Sequence, residues 1–247
     1  MRIVTVIPAR FASTRFPGKP LVNLIGKPMI IWVAEQCEKA VGKSNVYVAT
    51  ENKIIEKEVK RFGFNVIFTS KKALTGTDRV AEVSKVINAD IYVNVQGDEP
   101  MVSYKDIEII IKKKYQNMNK VINGYCYLNN TEDPNNLNIP KVVTNEENKL
   151  LYMSRSPIPG NKSGNFNNEY IKKQVCIYAF TKEELSKFSS LGRKSNIELK
   201  EDIEILRFFD LNIDVLMTKT SGGSLAVDTE DDVEAVVNAM KNKFYVP

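Results

Sequence analysis

The chain has 247 residues, of which 43% are hydrophobic and 26% charged, enough to bury a sizeable core in one large domain or two closely joined lobes. Histidine is absent, which excludes Ser-His-Asp, Cys-His and histidine-metal chemistry and leaves oxygen as the donor for any metal, a preference of magnesium. The formal net charge is +5, with 35 basic residues interspersed among 30 acidic ones, so an anionic small ligand explains the balance without nucleic acid.

The apolar, β-branched run Ile3-Val4-Thr5-Val6-Ile7 predicts a buried strand over 2–8. Directly after it comes Pro8-Ala9-Arg10-Phe11-Ala12-Ser13-Thr14-Arg15-Phe16-Pro17-Gly18-Lys19-Pro20, which places three cations and a glycine where parallel sheets gather ligands. A helix over about 28–41 follows, with proline in its first turn, an apolar face of Met29, Ile30, Val33 and Cys37, and Gly42 beyond its end. Strands over 45–49, 64–69 and 90–95 then alternate with helices over 52–62 and 78–88, which is α/β order. Thr75-Gly76-Thr77-Asp78-Arg79 leads into the third helix and reads as a turn with an N-cap or as a ligand-contacting turn.

The strand Ile91 to Val95 ends in the acidic turn Gln96-Gly97-Asp98-Glu99-Pro100, where Asp98 is either a turn former or a magnesium ligand. A helix near 104–115 carries Lys112-Lys113-Lys114, read as its solvated end. The simple alternation then breaks into a β-rich region, Val121 to Tyr127, Pro140 to Val143 and Lys149 to Met153, read as a sheet extension or second lobe. The polar stretch 159–168 predicts a loop, Val175 to Phe180 a strand, Ser195 to Phe209 a charged amphipathic helix, and Ile213 to Thr218 a strand. Near the C-terminus Asp228 precedes a helix opening at Thr229, so it reads as a cap or as a second metal-binding carboxylate.

Cys37, Cys126 and Cys176 are odd in number and widely spaced, supporting neither a disulfide framework nor a zinc site and predicting free buried thiols. The N-terminus lacks a signal-peptide pattern and no 18 consecutive residues are apolar, so a cytoplasmic protein without membrane insertion is expected. Neither a Walker P-loop nor a Gly-x-Gly-x-x-Gly fingerprint follows the first strand.

Taken in order, PARFASTRFPGKPL, GTDRVAEV, VNVQGDEPM, PKVV, LYMSRSPIP and VDTEDD resemble the 3-deoxy-manno-octulosonate (Kdo) cytidylyltransferase family over nearly the whole chain. The resemblance implies a GT-A-like, Rossmann-like α/β fold with a mainly parallel mixed central sheet flanked by helices and a β-rich dimerisation and sugar-side extension. Within a single domain it implies a nucleotide-binding part at about 1–118, a sugar-binding and dimerisation part at about 119–215, and a metal-binding segment at about 216–247. The implied activity is transfer of CMP from CTP to a 3-deoxy-2-ulosonic acid by a homodimer, with Mg²⁺ as cofactor and a product used for lipopolysaccharide or capsule.

Carried over by motif, Arg10 and Lys19 would contact the triphosphate with Arg15 beside them, and Ala9, Thr75, Gly76 and Arg79 would border the nucleotide. Asp98 and Asp228 would bind magnesium, while Gln96, Arg155, Tyr178 and Glu204 would line the sugar side. Gln174 stands where the family usually has histidine and Cys176 where it has glycine; Ile205 replaces a glutamine and Glu51 an aspartate. Losing one polar partner in a buried site costs about 1–3 kcal/mol, so Gln174 and Ile205 raise the expectation of a different ulosonic acid as acceptor. Other readings are an enzyme using another nucleotide or a phosphorylated sugar, and a noncatalytic sugar-nucleotide-binding protein.

Overall fold

The N-terminal β-branched run forms β1 (Ile3–Ala9), with Val4, Val6 and Ile7 fully buried, in a computed structural model that describes residues 1–12, 15–160, 162 and 167–244. A short ribbon of β2 (Asn23–Leu24) and β3 (Lys27–Pro28) precedes α1 (Met29–Val41), which Gly42 terminates. The expected alternation follows as β4 (Val46–Thr50), α2 (Lys53–Arg61), β5 (Asn65–Phe68), α3 (Gly76–Val86), β6 (Ile91–Val95) and α4 (Tyr104–Gln116). The β-rich part comprises β7 (Val121–Tyr127), β8 (Lys141–Thr144), β9 (Leu150–Ser154) and β10 (Lys172–Phe180). After it come α5 (Lys182–Ser190), α6 (Asn196–Glu201), α7 (Arg207–Asp210), β11 (Val215–Lys219) and α8 (Asp232–Phe244).

Nine strands form one sheet, ordered β11-β7-β10-β6-β1-β4-β5, with β8 paired to β10 and β9 to β8. The pairs β1–β4, β1–β6, β4–β5 and β7–β11 are parallel, whereas β10 runs antiparallel to both β6 and β7. The extension read from the sequence is therefore a continuation of the same sheet, joined through one reversed strand. One face packs under α1 and α4 around Ile30, Cys37 and Ile107, the other under α3, α5 and the 203–208 segment around Val80, Phe188 and Phe208. A third cluster of Leu24, Met29, Trp32, Val227, Val236 and Met240 docks α8 against the short ribbon.

Three expectations change. The helix expected over 195–209 is broken: Asp202 adopts a left-handed backbone (φ 51°), and α6 and α7 are separated by a 3₁₀ turn at Glu204–Leu206. The cause is a tertiary contact, since Arg155 takes the carbonyls of Glu201 (2.7 Å) and Asp202 (2.9 Å) that a continuing helix would use. Helix α5 was missed although Thr181 and Glu184 form a capping box at its start, which is a sequence-readable signature.

The third change is at Lys114, which is not a solvated helix end: it is fully buried and held by both carboxylate oxygens of Glu184 (2.8 and 2.7 Å) and by the carbonyls of Met118 and Lys120. The loop expected at 159–168 lies mostly outside the described residues, as do Ser13 and Thr14 of the basic stretch.

Removing one member of a buried ion pair leaves the other uncompensated. Glu184→Ala should therefore lower the unfolding free energy by about 3–5 kcal/mol, read as a shift of the urea midpoint.

Candidate active site

The parallel strands β1, β4 and β6 finish at one edge, with Ala9 in register with Thr50 and Val6 with Asn94. Beyond that edge lies a cleft of about 840 Å³ whose walls include Ala9, Arg10, Arg15, Lys19, Thr75, Gly76, Arg79, Gln96, Asp98, Arg155, Gln174, Tyr178, Glu204 and Asp228. Of the residues expected at the site, the structure thus brings all but one to this cleft. The exception is Ile205, which is fully buried in the same apolar cluster as Phe208 and does not line the cleft.

The basic loop is pinned at both ends. The Phe11 N–H donates to Glu51 Oε1 (3.1 Å), and the Gly18 N–H donates to the Phe11 carbonyl (2.9 Å). Gly18 has φ +73°, a backbone that L side chains resist, and it opens the 3₁₀ turn carrying Lys19. The Lys19 ammonium lies 2.9 Å from Asp98 Oδ2 and 3.7 Å from Asp228 Oδ1, while Arg15 Nη2 is 3.1 Å from the same Asp228 oxygen.

Gly97 lets the acidic turn approach β1, since a Cβ there would come within 2.9 Å of Ile30 and 3.0 Å of the Pro8 carbonyl. The two carboxylate-bearing segments are stitched by the Val227 N–H donating to the Asp98 carbonyl (2.9 Å). Asp228 does not cap a helix opening at Thr229: α8 begins at Asp232, whose carboxylate accepts from the N–H groups of Asp228 (2.9 Å) and Thr229 (2.7 Å) in the turn before it. The Asp228 carboxylate is thereby left for the cleft cations.

On one wall Thr75 both caps α3, accepting from the Asp78 N–H (3.2 Å), and lines the cleft with Gly76. Arg79 is buried, with Nη2 2.5 Å from Glu51 Oε2 and Nη1 donating to Thr69 Oγ1 (2.7 Å) and the Ser70 carbonyl (3.1 Å). Glu51, directly after β4, thus ties the basic loop to α3 through Phe11 and Arg79.

On another wall of the cleft Glu204 projects from the 3₁₀ turn that the helix break creates, accepting from the Thr77 N–H (3.0 Å) and from Gln96 Nε2 (3.1 Å). Burial pushes its carboxyl above the ordinary range. Gln174 donates to Asn123 Oδ1 (3.1 Å) and reaches the buried Tyr178 hydroxyl (3.3 Å), and the irregular pairing of β10 with β7 in this stretch is held by Asn123 bonding the Val175 and Ile177 carbonyls. Burial raises the Tyr178 phenol well above its usual value, so it stays protonated. The Arg155 guanidinium is already engaged with three carbonyls, those of Leu137, Glu201 and Asp202, which makes it the brace of this wall as well as part of it.

Several cleft features escaped the sequence reading. Arg207 is fully buried, gripping Glu198 through two bonds of 2.7 Å and Asp78 at 2.8 and 3.1 Å, and so locks the α3 turn to the segment carrying Glu204. Lys173 lines the cleft and pairs with Glu132, and Cys176, already marked by the glycine the family has at its position, lines the cleft too. No sequence periodicity marks these contacts, because their partners lie on separate elements.

Asp98 and Asp228 fit a magnesium ion by the chemistry of their donors. Both carboxylates converge on one cation, the Lys19 ammonium, and no cluster of three or more His, Cys, Asp or Glu occurs among the described residues. Two carboxylates with the remaining positions left to water and substrate phosphates match magnesium's habits.

Comparisons with known proteins agree with this geometry. The family described as Cytidylyltransferase matches residues 4–216. The 3-deoxy-manno-octulosonate cytidylyltransferase of Escherichia coli is 36% identical over 95% of this chain and 94% of its own length, and that of Geobacter metallireducens 37% identical over 97% and 98%. The solved structure of CMP:2-keto-3-deoxy-manno-octonic acid synthetase complexed with CTP superposes with a TM-score of 0.90 at 34% identity, covering 99% of this chain and 100% of that one. The inositol-1-phosphate CTP transferase of T. maritima, at 16% identity and a TM-score of 0.67 over 98% and 96% of the two chains, shares the fold.

Glu99, beside Asp98 on the cleft wall, has its carboxyl pushed up to about 7, first by burial and then by the Asp98 charge. Its folded value lies above its unfolded one, so its contribution to stability is complete below about pH 4.5 and is lost as pH rises through about 7. In EDTA, urea unfolding should show that Glu99→Gln gains stability relative to the parent at pH 8 and little at pH 4.5.

Proposed function

We propose, from the premise that the chain belongs to the 3-deoxy-manno-octulosonate cytidylyltransferase family, that it transfers CMP from CTP to the anomeric hydroxyl of Kdo or a close 2-ulosonic acid. The observation that carries this reading is the single cleft in which Lys19 bridges Asp98 and Asp228 while Gln96 and Glu204 face it from the next wall. In the reaction the sugar oxygen forms a bond to the α-phosphorus as the bond from that phosphorus to pyrophosphate breaks, in line.

Arg10, Arg15 and Lys19 offset the charge of the triphosphate and of departing pyrophosphate. Thr75 and Gly76 border the nucleotide, with Arg79 bracing their turn, and Glu204, held by Thr77 and Gln96, positions the sugar through its hydroxyls. Asp98 and Asp228 would hold Mg²⁺, which when bound neutralises phosphate charge and makes a nearby hydroxyl easier to deprotonate. That suits a chain without histidine.

With Ile205 withdrawn into the core, the departures that bear on the acceptor are Gln174 and Cys176 on β10. The sugar pocket retains Tyr178, Gln96 and Glu204, which favours Kdo as first substrate. The reaction consumes CTP, which places it in the cytoplasm, and no helix among the described residues is long and apolar enough to cross a membrane. Supporting a homodimer, β9 is an edge strand that leaves Leu151 (53%) and Tyr152 (38%) exposed.

Pyrophosphate release from CTP and Mg²⁺ should be rapid with Kdo and slow with UTP or GTP in place of CTP. Turnover of another 2-ulosonic acid but not Kdo would move the novelty to Gln174 and Cys176; silence across a panel, despite CTP binding, would favour a binding protein. Asp98→Asn should lower kcat by about 10²-fold or more, as loss of an electrostatic contact at the reacting centre does. Sedimentation should show a dimer that Leu151→Lys shifts towards monomer; a parent that is monomeric throughout would overturn that assignment.

A further inference from the structure

Two cations and two carboxylates meet at the mouth of the cleft, and each is assigned by the proposed reaction to a different ligand. Lys19 Nζ sits 2.9 Å from Asp98 Oδ2 and 3.7 Å from Asp228 Oδ1, and Arg15 Nη2 sits 3.1 Å from Asp228 Oδ1. Each N–H that Lys19 and Arg15 direct at these carboxylates is one fewer for a triphosphate. Asp98 and Asp228 cannot offer the same oxygens to a divalent cation while the ammonium remains between them.

We infer that Lys19, seconded by Arg15, is a built-in counter-cation that competes with the metal for Asp98 and Asp228, so that divalent cation and triphosphate binding are coupled through the exchange of these ion pairs. This rests on the reading that Asp98 and Asp228 hold the metal.

The physical argument runs through charge balance. The four groups are locally neutral as they stand. A triphosphate arriving alone draws Lys19 and Arg15 from their partners and leaves two carboxylates, each about a third exposed, facing the phosphates as like charges. A divalent cation arriving alone must displace an ammonium whose side chain is only 14% exposed and therefore poorly placed to recover its hydration. When both arrive, the metal takes over the carboxylates and the lysine takes over phosphate, and neither charge is stranded.

The exchange needs only side-chain motion. The backbone of the loop is held by Lys19 N–H to the Phe16 carbonyl (3.2 Å) and Leu21 N–H to the Gly18 carbonyl (2.8 Å). Lysine's flexible four-carbon stem can then swing from one partner to the other without moving the turn. By linkage, whatever factor the metal adds to triphosphate affinity the triphosphate returns to the metal.

The inference makes an unusual prediction about sign: deleting a cation should tighten binding of a cation. With Mn²⁺ as the probe and no nucleotide present, calorimetry or Mn²⁺ EPR on Lys19→Met should show binding about fivefold or more tighter than the parent, the lower end of ordinary site-to-site coupling. Arg15→Gln should tighten it in the same direction by a smaller factor, and Asp228→Asn should weaken it. Without metal, Lys19→Met should bind CTP more weakly than the parent.

Arg15 is 57% exposed, so Arg15→Gln keeps the test decisive should Lys19→Met fail to fold. Unchanged or weaker Mn²⁺ binding by both cation-deleting variants, with Asp228→Asn still weakening it, would leave the metal site standing and overturn the competition. Mn²⁺ affinity indifferent to both Asp98→Asn and Asp228→Asn would instead remove the metal site, and the inference with it. Neither titration uses an acceptor sugar, so an error in the acceptor assignment does not disturb the result.

Discussion

The meeting of Lys19 with Asp98 and Asp228 is the constraint on which the rest of this structure depends, because the three residues come from the loop after β1, the turn after β6 and the segment before α8. No local preference brings them together. Parallel pairing of β1 with β6 delivers the first two to one edge. Apolar packing of Val227, Val236 and Met240 against Leu24, Met29 and Trp32 delivers the third. Hydrophobic burial thus holds like-charged carboxylates close at the cleft, and the Val227 N–H to Asp98 carbonyl bond sets the register between their segments.

The second wall is made by two interruptions of regular structure. Strand β10 runs against the otherwise parallel order, which carries Gln174, Cys176 and Tyr178 to the same cleft as the ends of β1 and β6. The break at Asp202 turns what would be one helix into α6, a 3₁₀ turn and α7, and it is this turn that presents Glu204 to Gln96 and Thr77. An uninterrupted helix would leave Glu204 on a helix face, without the paired contacts that now fix its carboxylate. Arg155, by capturing the carbonyls at the break, therefore shapes the site even before any sugar contact.

The alternating strands and helices up to α4 were legible because their signals are local: β-branched runs, Pro28 and Gly42 flanking α1, Thr75 at the head of α3. Most cleft residues were legible too, but through resemblance of whole motifs; spacing alone left Asp98 and Asp228 as turn or cap. What failed was non-local. The triple lysine looked solvated because nothing near Lys114 in sequence announces Glu184 across the fold, and the 195–209 segment looked continuous because the carbonyl-capturing Arg155 lies far upstream. Ile205 was assigned to the cleft by its position in a motif, whereas a 3₁₀ turn sends neighbours in different directions, Glu204 outward and Ile205 into the core.

The buried and exposed charges of this protein divide the labour of holding and changing shape. Arg207 with Glu198 and Asp78, and Lys114 with Glu184, are sequestered from water, so parting them exposes unsolvated charge and is strongly opposed. Arg15, Asp98 and Asp228 are partly open to water at the cleft and Lys19 is 14% exposed, so parting these pairs strands less unsolvated charge than parting the buried ones. Asp78 connects the two regimes: Arg207 grips both of its oxygens, and Oδ2 also accepts from the cleft-lining Thr75 hydroxyl (2.8 Å). Buried ion pairs thus form a frame behind the part-exposed ion pairs at the cleft mouth, so a rearrangement at the mouth need not disturb the elements that carry the walls.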